Sequence, residues 1–407
     1  MRRTLCAVVV VLLSIGNARG QEQSGLVAAD TQTLVAAQEG FGLSLLSKLG
    51  ADTAFARGVA ISPYSVHAAL SLVRLGATSQ TAQELDFLLY PRGFSAGMQR
   101  AYRSLNEAVF MKDEGLSASI ANSIWVAKDA PLRDPYRLSA QRYFGALVKS
   151  VDFSAASTHE EVNKWVAGVT ENLIPRLLGG PFDPSTVAAL VNGLYLKAAW
   201  AETFDLKATR PGDFWTEGSG VIKHPMMHRT VTERYAEDEE WKVASFPSLE
   251  SRYLVTIFLP RRQKQGVSAL AARLTPGLIS RARVNDQRAK LNVALPKFEI
   301  RSRPSLKGIL SAALPRTFSR DAQLGEISKS PLWISDVVHE SVIKVNEDGV
   351  EAAAASAVVM VGSAYRPAEE EPKIVDFIVD RPFGFVISHG DSGAPLFVGV
   401  IGDPRGS

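Results

Sequence analysis

The sequence is poor in cysteine. Its one cysteine, Cys6, lies near the start of a chain of 407 residues. The rest of the chain therefore offers no disulfide, no thiol nucleophile and no thiolate metal ligand. The sequence also lacks an Asn-x-Ser/Thr glycosylation acceptor. We expect the fold to be stabilised by side-chain packing without crosslinks.

A strong net charge is also missing. The first twenty residues combine Arg2 and Arg3, an apolar run over 5–15 and an end rich in small residues, which is typical of a secretory signal peptide. The apolar run is too short to span a membrane. Cleavage before Gln21 would remove Arg2, Arg3 and Arg19. The number of basic residues would fall from 45 to 42, which equals the number of acidic residues. We therefore expect a secreted protein, extracellular or periplasmic, with no nucleic-acid or membrane partner.

The composition favours one large folded unit. Hydrophobic residues make up 46% of the chain and charged residues 21%, which argues against a disordered or collagen-like chain. No repeat and no interdomain linker is evident. We predict a signal peptide at 1–20 and a single domain at 21–407, with a loose leader over 21–30.

Hydrophobic periodicity predicts helices early in the chain and strands later. Helical patterns cover 31–49, 64–75, 81–89 and 160–174, with Ser62 as N-cap before Pro63 and with Pro175 ending the last helix. Apolar runs predict strands at 119–126, 187–200, 253–259, 289–300, 342–345, 383–388 and 396–401. This order indicates an α+β fold.

The most informative stretch is 345–364. It begins like a strand, pivots at Gly349 and continues through small residues, including four consecutive alanines. On composition alone it reads as a helix followed by a surface loop. The stretch closely resembles the hinge and reactive-centre loop of serpins, the serine protease inhibitors. Similar motifs follow in the family's order, at 61–66, 163–178, 190–200, 381–383, 397–399 and 403–404.

The resemblance implies the serpin fold and mechanism. It implies a large central, mostly antiparallel sheet, additional sheets, about eight or nine helices and an exposed reactive-centre loop at about 347–381. The chain would act as a suicide substrate, not as an enzyme. A serine protease would cleave the loop, and the loop would insert into the central sheet and trap the acyl-enzyme. A strand over 350–363 would form on the order of 14 backbone hydrogen bonds, or roughly 7–20 kcal/mol.

The hinge composition agrees with insertion. A strand has period two, so alternate residues from Val350 would face the core, and none of them is charged. The hinge residues implied by the resemblance are Glu347, Gly349, Val350, Ala352, Ala354 and Ser356. This composition favours an inhibitor over the alternative, a non-inhibitory serpin acting as a carrier or binding module. We expect Val350→Arg to abolish inhibition with little loss of stability, because the residue is expected to be exposed.

Family spacing places the reactive bond at Ser363–Ala364. A small residue there suits elastase-like or subtilisin-like proteases, whereas Tyr365 would suit a chymotrypsin-like enzyme. The segment from Ala364 to Pro382 is several residues longer than the family norm. Counting back from Pro382 therefore places the reactive bond a few residues later. Arg366 is a poor candidate because Pro367 follows it.

The resemblance also implies a buried polar cluster, the shutter, where the sheet must open. Its members would be Ser62, Ser65, Asn192 and His339. Such a cluster specifies one arrangement only when its hydrogen bonds are satisfied. The family usually has Asn four residues before Ser62, and this chain has Gly58 there, so a different wiring is expected.

Two rival sites are weaker. The Gly390-Asp391-Ser392-Gly393 segment resembles the nucleophile motif of trypsin-like proteases, but a polar hairpin turn explains it better. His224 and His228 have a spacing that could bind zinc on a helix, but Pro225 disfavours that helix. We therefore expect no metal, no cofactor and no catalytic residues, and a monomer whose partner is a serine protease.

Overall fold

The computed structural model describes residues 5–110, 112–113, 115–262, 265–285, 287–350 and 374–406, with side chains from residue 28 onward. Within that part, none of the helices is long and apolar enough to cross a membrane. The same part contains nine α-helices: α1 (Leu5–Gly50), α2 (Pro63–Gly76), α3 (Ser79–Leu89), α4 (Gly97–Val109), α5 (Asp134–Phe144), α6 (Ser157–Val169), α7 (Val267–Arg273), α8 (Pro276–Val284) and α9 (Leu306–Ala313).

The strands form two sheets, which together with the helices confirm the α+β prediction. The described residues contain these strands: β1 (Gly58–Ile61), β2 (Lys112–Asp113), β3 (Leu116–Ala127), β4 (Leu147–Val151), β5 (Ala188–Ala199), β6 (Arg210–Thr216), β7 (Gly220–Glu237), β8 (Trp241–Pro247), β9 (Tyr253–Pro260), β10 (Arg288–Pro296), β11 (Phe298–Ser302), β12 (Asp336–Val345), β13 (Gly349–Val350), β14 (Val375–Ile378), β15 (Phe383–His389) and β16 (Pro395–Ile401).

The seven-stranded sheet contains β5, β12 and β13, the strands around the predicted hinge. Its order is β11-β12-β13-β5-β3-β2, with β4 beside β3. Most neighbours are antiparallel, and the β12–β5 and β3–β4 pairings are parallel. The nine-stranded sheet has the order β1-β16-β15-β9-β8-β7-β10-β14, with β6 beside β7.

Helix α2 lies beneath both sheets and is almost entirely buried. It begins as its sequence predicts, because the Ser62 side chain accepts a hydrogen bond from the Ser65 N–H and Pro63 occupies the first turn. Its Ala- and Leu-rich surface contacts β3, β5 and β16. The start of α2 therefore places Ser62 and Ser65 directly under the centre of the seven-stranded sheet.

Three predicted elements were wrong in extent. The predicted loose leader is helical, because α1 runs through it without a helix-breaking proline. The strand predicted at 289–300 is two strands in different sheets, since the chain changes sheets after Pro296, which cannot donate to a ladder. Helix α6 ends at Val169 instead of residue 174, because Glu171 and Asn172 adopt left-handed backbone conformations.

Candidate functional site

The site is built around the contact between β5 and β12. These strands pair directly and in parallel, Ala189–Leu194 against Asp336–Ser341. We call this contact the seam. Beyond it β13 enters between the two strands, with Gly349 opposite Ala199 and Val350 opposite both Ala198 and Val345. The sheet is therefore closed along six residue pairs and already holds the first two residues of an additional strand at one end.

The turn that leads into β13 is held by backbone and side-chain hydrogen bonds. The Asn346 N–H donates to the Gly349 carbonyl (3.0 Å), and Asn346 Oδ1 accepts from the N–H groups of Asp348 (3.0 Å) and Gly349 (3.1 Å). Trp200, just past β5, donates its backbone N–H to the Asp348 carbonyl and its indole N–H to the Asn346 carbonyl, both at 2.9 Å. These bonds fix the start of the hinge to the end of β5.

Glu347 ties the hinge to the junction of β10 and β11. Its buried carboxylate pairs with Lys297 Nζ (2.9 Å) and accepts a hydrogen bond from the Thr209 hydroxyl (2.8 Å). Its backbone carbonyl accepts from the Phe204 N–H (2.9 Å). Burial raises the pKa of Glu347, but the bonds from Lys297 and Thr209 outweigh it and lower that pKa overall. The carboxylate is therefore ionised at neutral pH.

Gly349 and Val350 occupy a tight position between the strands. A Cβ on Gly349 would clash with the Ala198 carbonyl oxygen and lie 2.7 Å from the Ala199 Cα, so only glycine fits this approach to β5. The Val350 side chain is 2% exposed and belongs to the main hydrophobic core. The expectation that Val350 is exposed was wrong, because β13 has already entered the sheet.

The rest of the predicted loop lies outside the described residues. This applies to the hinge positions Ala352, Ala354 and Ser356 and to the reactive-bond candidates Ser363, Ala364 and Tyr365, which stay predictions. The chain is described again from Ile374, and β14 pairs in parallel with β10 at the edge of the nine-stranded sheet. The segment 351–373 therefore connects the open end of the seam to the edge of the other sheet.

The predicted shutter residues meet beneath the seam. Ser62, Ser65, Asn192 and His339 are each at most 1% exposed. The Ser62 N–H donates to His339 Nε2 (3.3 Å), and His339 Nδ1–H donates to Asn192 Oδ1 (3.1 Å). Burial lowers the pKa of His339 to about 3, so its ring is neutral at physiological pH. The Ser65 hydroxyl has no partner within the described part of the chain.

Two members of this cluster were missed by sequence reasoning. Ser341 Oγ lies 3.0 Å from His339 Nε2, and Asn192 Nδ2 donates to Asn122 Oδ1. Ser341 follows His339 by two residues and so lies on the same face of β12. The period of two along a strand could have predicted this member of the cluster. Asn122 lies opposite Asn192 in the β3–β5 register, which the sequence alone does not show.

Gly58 does not contribute to the shutter. A side chain there would first meet Ile300 and the Val400 carbonyl, each at 3.0 Å. The described contacts of the cluster are instead made with Asn122 and Ser341.

The rival sites have structural roles. Ser392 lies in the β15–β16 hairpin, where its hydroxyl donates to His389 Nδ1 (2.9 Å) and accepts from the Ala394 N–H (3.2 Å). His224 lies on β7, and its Nε2–H donates to the Lys297 carbonyl (2.5 Å). Among the described residues, no group of His, Cys, Asp and Glu has the arrangement of a metal site.

Comparisons with known proteins find similar sequences and folds over most of the chain. Iripin-2 of Ixodes ricinus is 31% identical over 385 residues, covering 92% of this chain and 94% of that protein. Human thyroxine-binding globulin shares the fold, with a TM-score of 0.81 at 22% identity over 92% of this chain and 100% of that one. Arabidopsis AtSerpin1 in its native stressed conformation has a TM-score of 0.80 at 25% identity, covering 92% and 98%.

A model of the family described as Serpin (serine protease inhibitor) matches residues 36–404. That match includes the seam, the hinge and all four predicted shutter residues. The chain therefore belongs to the serpin family, whose members are generally protease inhibitors.

Proposed function

We propose that this serpin is a secreted suicide-substrate inhibitor of serine proteases. The observation that carries the proposal is the partial entry of β13 into the seam. Gly349 and Val350 already occupy the position of an additional strand, and the following residues are small and uncharged at alternate positions. The loop can therefore continue into the sheet along a path that its first residues have begun.

The inhibitory step has a covalent and a mechanical part. The serine Oγ of the protease attacks the carbonyl carbon of the residue before the scissile bond, and the bond to the next residue's nitrogen breaks. The protease's general base takes the proton of the serine hydroxyl and gives it to the departing amine, and an ester links the two proteins. The freed loop then inserts between β5 and β12 before water hydrolyses the ester.

Insertion exchanges one strand pairing for two. The direct β5–β12 contact of six residue pairs must separate, and the inserted strand then pairs with both neighbours. The side chain of Val350 is already in the core, and the residues at alternate positions after it carry no charge that would have to be desolvated. An inserted strand would form on the order of 14 backbone hydrogen bonds and replace only the six residue pairs of the seam, so the free energy favours the inserted state.

The expected target is a serine protease with a small or aromatic specificity pocket. Cleavage at Ser363–Ala364 would suit elastase-like or subtilisin-like enzymes, and cleavage after Tyr365 a chymotrypsin-like enzyme. In this proposal the protein is a monomer and has no catalytic activity of its own.

Secretion follows from the signal-peptide pattern at 1–20. The first buried side chain in the described part of the chain is Leu34, and the family match begins at residue 36. Removal of residues before Gln21 would therefore leave the described core intact. Sequencing the N-terminus of the protein recovered from culture medium tests this point, and a mature N-terminus at Gln21 is expected.

The inhibitor proposal is tested by complex formation. The purified protein is mixed with elastase, subtilisin and chymotrypsin, and we expect an SDS-stable complex with at least one of them. The matched control is the same protease with its active-site serine blocked, which cannot form the ester. Mass spectrometry of the released C-terminal fragment identifies the scissile bond. Cleavage by every protease without any complex would contradict the proposal.

A carrier is the second candidate, favoured by one observation. A groove of about 470 Å³ lies between α1 and α8, and its lining includes Thr33, Tyr90, Arg92 and Ser280. A groove of this size can hold a small molecule, and one structural neighbour is a thyroxine-binding globulin. Calorimetry with thyroxine separates the candidates, because tight binding without any protease complex would favour the carrier.

A further inference from the structure

The chain that follows α6 crosses the seam. We call residues 170–178 the strap. Its Ile174 and Leu177 are at most 1% exposed and pack in one apolar cluster with Val191 of β5 and Val342 of β12. Gly193 of β5 lies directly beneath the strap, because a Cβ there would be 3.4 Å from Ile174 Cδ1. The strap therefore rests on both strands that an inserting loop must separate.

One side of the strap is tied to the strands on the β5 side of the seam. The Glu171 carboxylate pairs with Lys112 Nζ of β2 (2.7 Å) and accepts hydrogen bonds from Tyr195 of β5 (3.3 Å) and Ser117 of β3 (3.4 Å). The hydrogen bond from Lys112 is the main cause of the lowered pKa of Glu171. This tie holds a carboxylate among three donors on three neighbouring strands.

The other side of the strap is tied to β11 and β12. Arg301 and Arg303 donate to the backbone carbonyls of Leu173 (3.4 Å) and Arg176 (3.1 Å). Both guanidinium groups pair with Glu340 of β12, whose side chain is 3% exposed. Glu340 therefore holds in place the two arginines that tie the strap.

The backbone between these ties is strained. Glu171 has a φ of 49° and Asn172 a φ of 63°, so two consecutive residues other than glycine are left-handed. Such conformations persist only where the surroundings hold them. Releasing one tie would let this part of the strap relax.

We infer that Glu340, with Arg301 and Arg303, forms a clamp that sets how fast the seam opens for the loop; this rests on the proposed function. An inserted strand would move β12 about 4.8 Å farther from β5, which exceeds the reach of a hydrogen bond. The strap is tied to both sides and cannot follow both strands. The strap must therefore lose its ties on one side before the sheet accepts the loop, and on the β12 side those ties are the guanidinium–carbonyl bonds at 3.1 and 3.4 Å.

The clamp is tested with Glu340→Gln and a synthetic peptide of residues 351–363, because Val350 of the chain already occupies its place between the strands. The peptide anneals into the seam without any protease, and its uptake is followed by the rise in melting temperature. We expect uptake about ten- to a hundredfold faster in the variant, since hydrogen bonds to charged groups are lost before the seam opens. The matched control is Glu233→Gln, which removes another buried carboxylate, paired with Arg288 in the nine-stranded sheet. Equal acceleration in both variants would reduce Glu340 to a merely structural role and overturn the clamp.

Arg303→Gln is the second variant, because the Arg303 side chain is 43% exposed and its loss does not endanger folding. It removes one tie to the strap and should speed peptide uptake by a smaller factor. With a trapped protease, the number of inhibitor molecules consumed per complex should fall while the association rate constant stays unchanged. Unchanged uptake in both Glu340→Gln and Arg303→Gln would overturn the clamp. If the protein takes up the peptide but traps no protease, the proposed inhibitor function is wrong. The peptide experiment then still tests the clamp.

Discussion

Replacing Val350 by arginine tests whether the entry of β13 is the start of insertion. The Val350 side chain is 2% exposed in the main core, and an unpaired guanidinium buried there would be very costly. We therefore expect β13 to leave the sheet. The loss of unfolding free energy is then limited to the contribution of β13. One buried valine contributes about 1.5–3 kcal/mol, and the pairings of β13 with Ala198, Ala199 and Val345 contribute roughly 0.5–1.5 kcal/mol per hydrogen bond. The expected loss of unfolding free energy is about 3–7 kcal/mol.

The assay combines urea unfolding, followed by circular dichroism, with the protease-complex gel. Val350→Arg should be less stable and should be cleaved without forming a complex, because a charge at this position blocks the inserted strand. Val350→Ala is the matched control, expected to lose about 1–2 kcal/mol and to keep forming complex. A Val350→Arg protein as stable as the original, or one that still traps protease, would refute the reasoning.

Two further predictions concern Gly349 and two buried histidines, His339 of the shutter and His67 of α2. Gly349→Ala should displace β13, because its Cβ would clash with β5, and a melting temperature equal to the original would contradict this. Burial lowers the pKa of His67 to about 4 and of His339 to about 3, so the unfolded chain binds protons first as pH falls below about 6.5. These two histidines should therefore lower the free energy of unfolding by about 2.5 kcal/mol between roughly pH 7.5 and 5.5, and His339→Gln should remove about half of that contribution in urea titrations at each pH.

Local sequence predicted only the helix start within the candidate site, and the family resemblance supplied the rest of its predicted members. Ser62 and Pro63 start α2 through capping chemistry, and the family resemblance placed Asn192 and His339 with them. The structure brings Ser62, His339 and Asn192 together at 3.1–3.3 Å, and their role as a shutter stays a prediction. Asn122 escaped it because its contact depends on the β3–β5 register, which pairs residues 70 positions apart.

The sequence by itself determined the start of α2 and the apolar runs that become β5, β9, β15 and β16, because caps, prolines and apolar periodicity act over a few residues. It also determined the uncharged hinge that insertion needs. Only the tertiary structure decided that Val350 is buried, that the run after residue 288 divides between two sheets, and that Glu340 lies beneath the strap. These features depend on contacts between residues far apart in the chain, whose free energies exist only once the strands have paired. A local sequence pattern does not show which two strands will pair in a sheet.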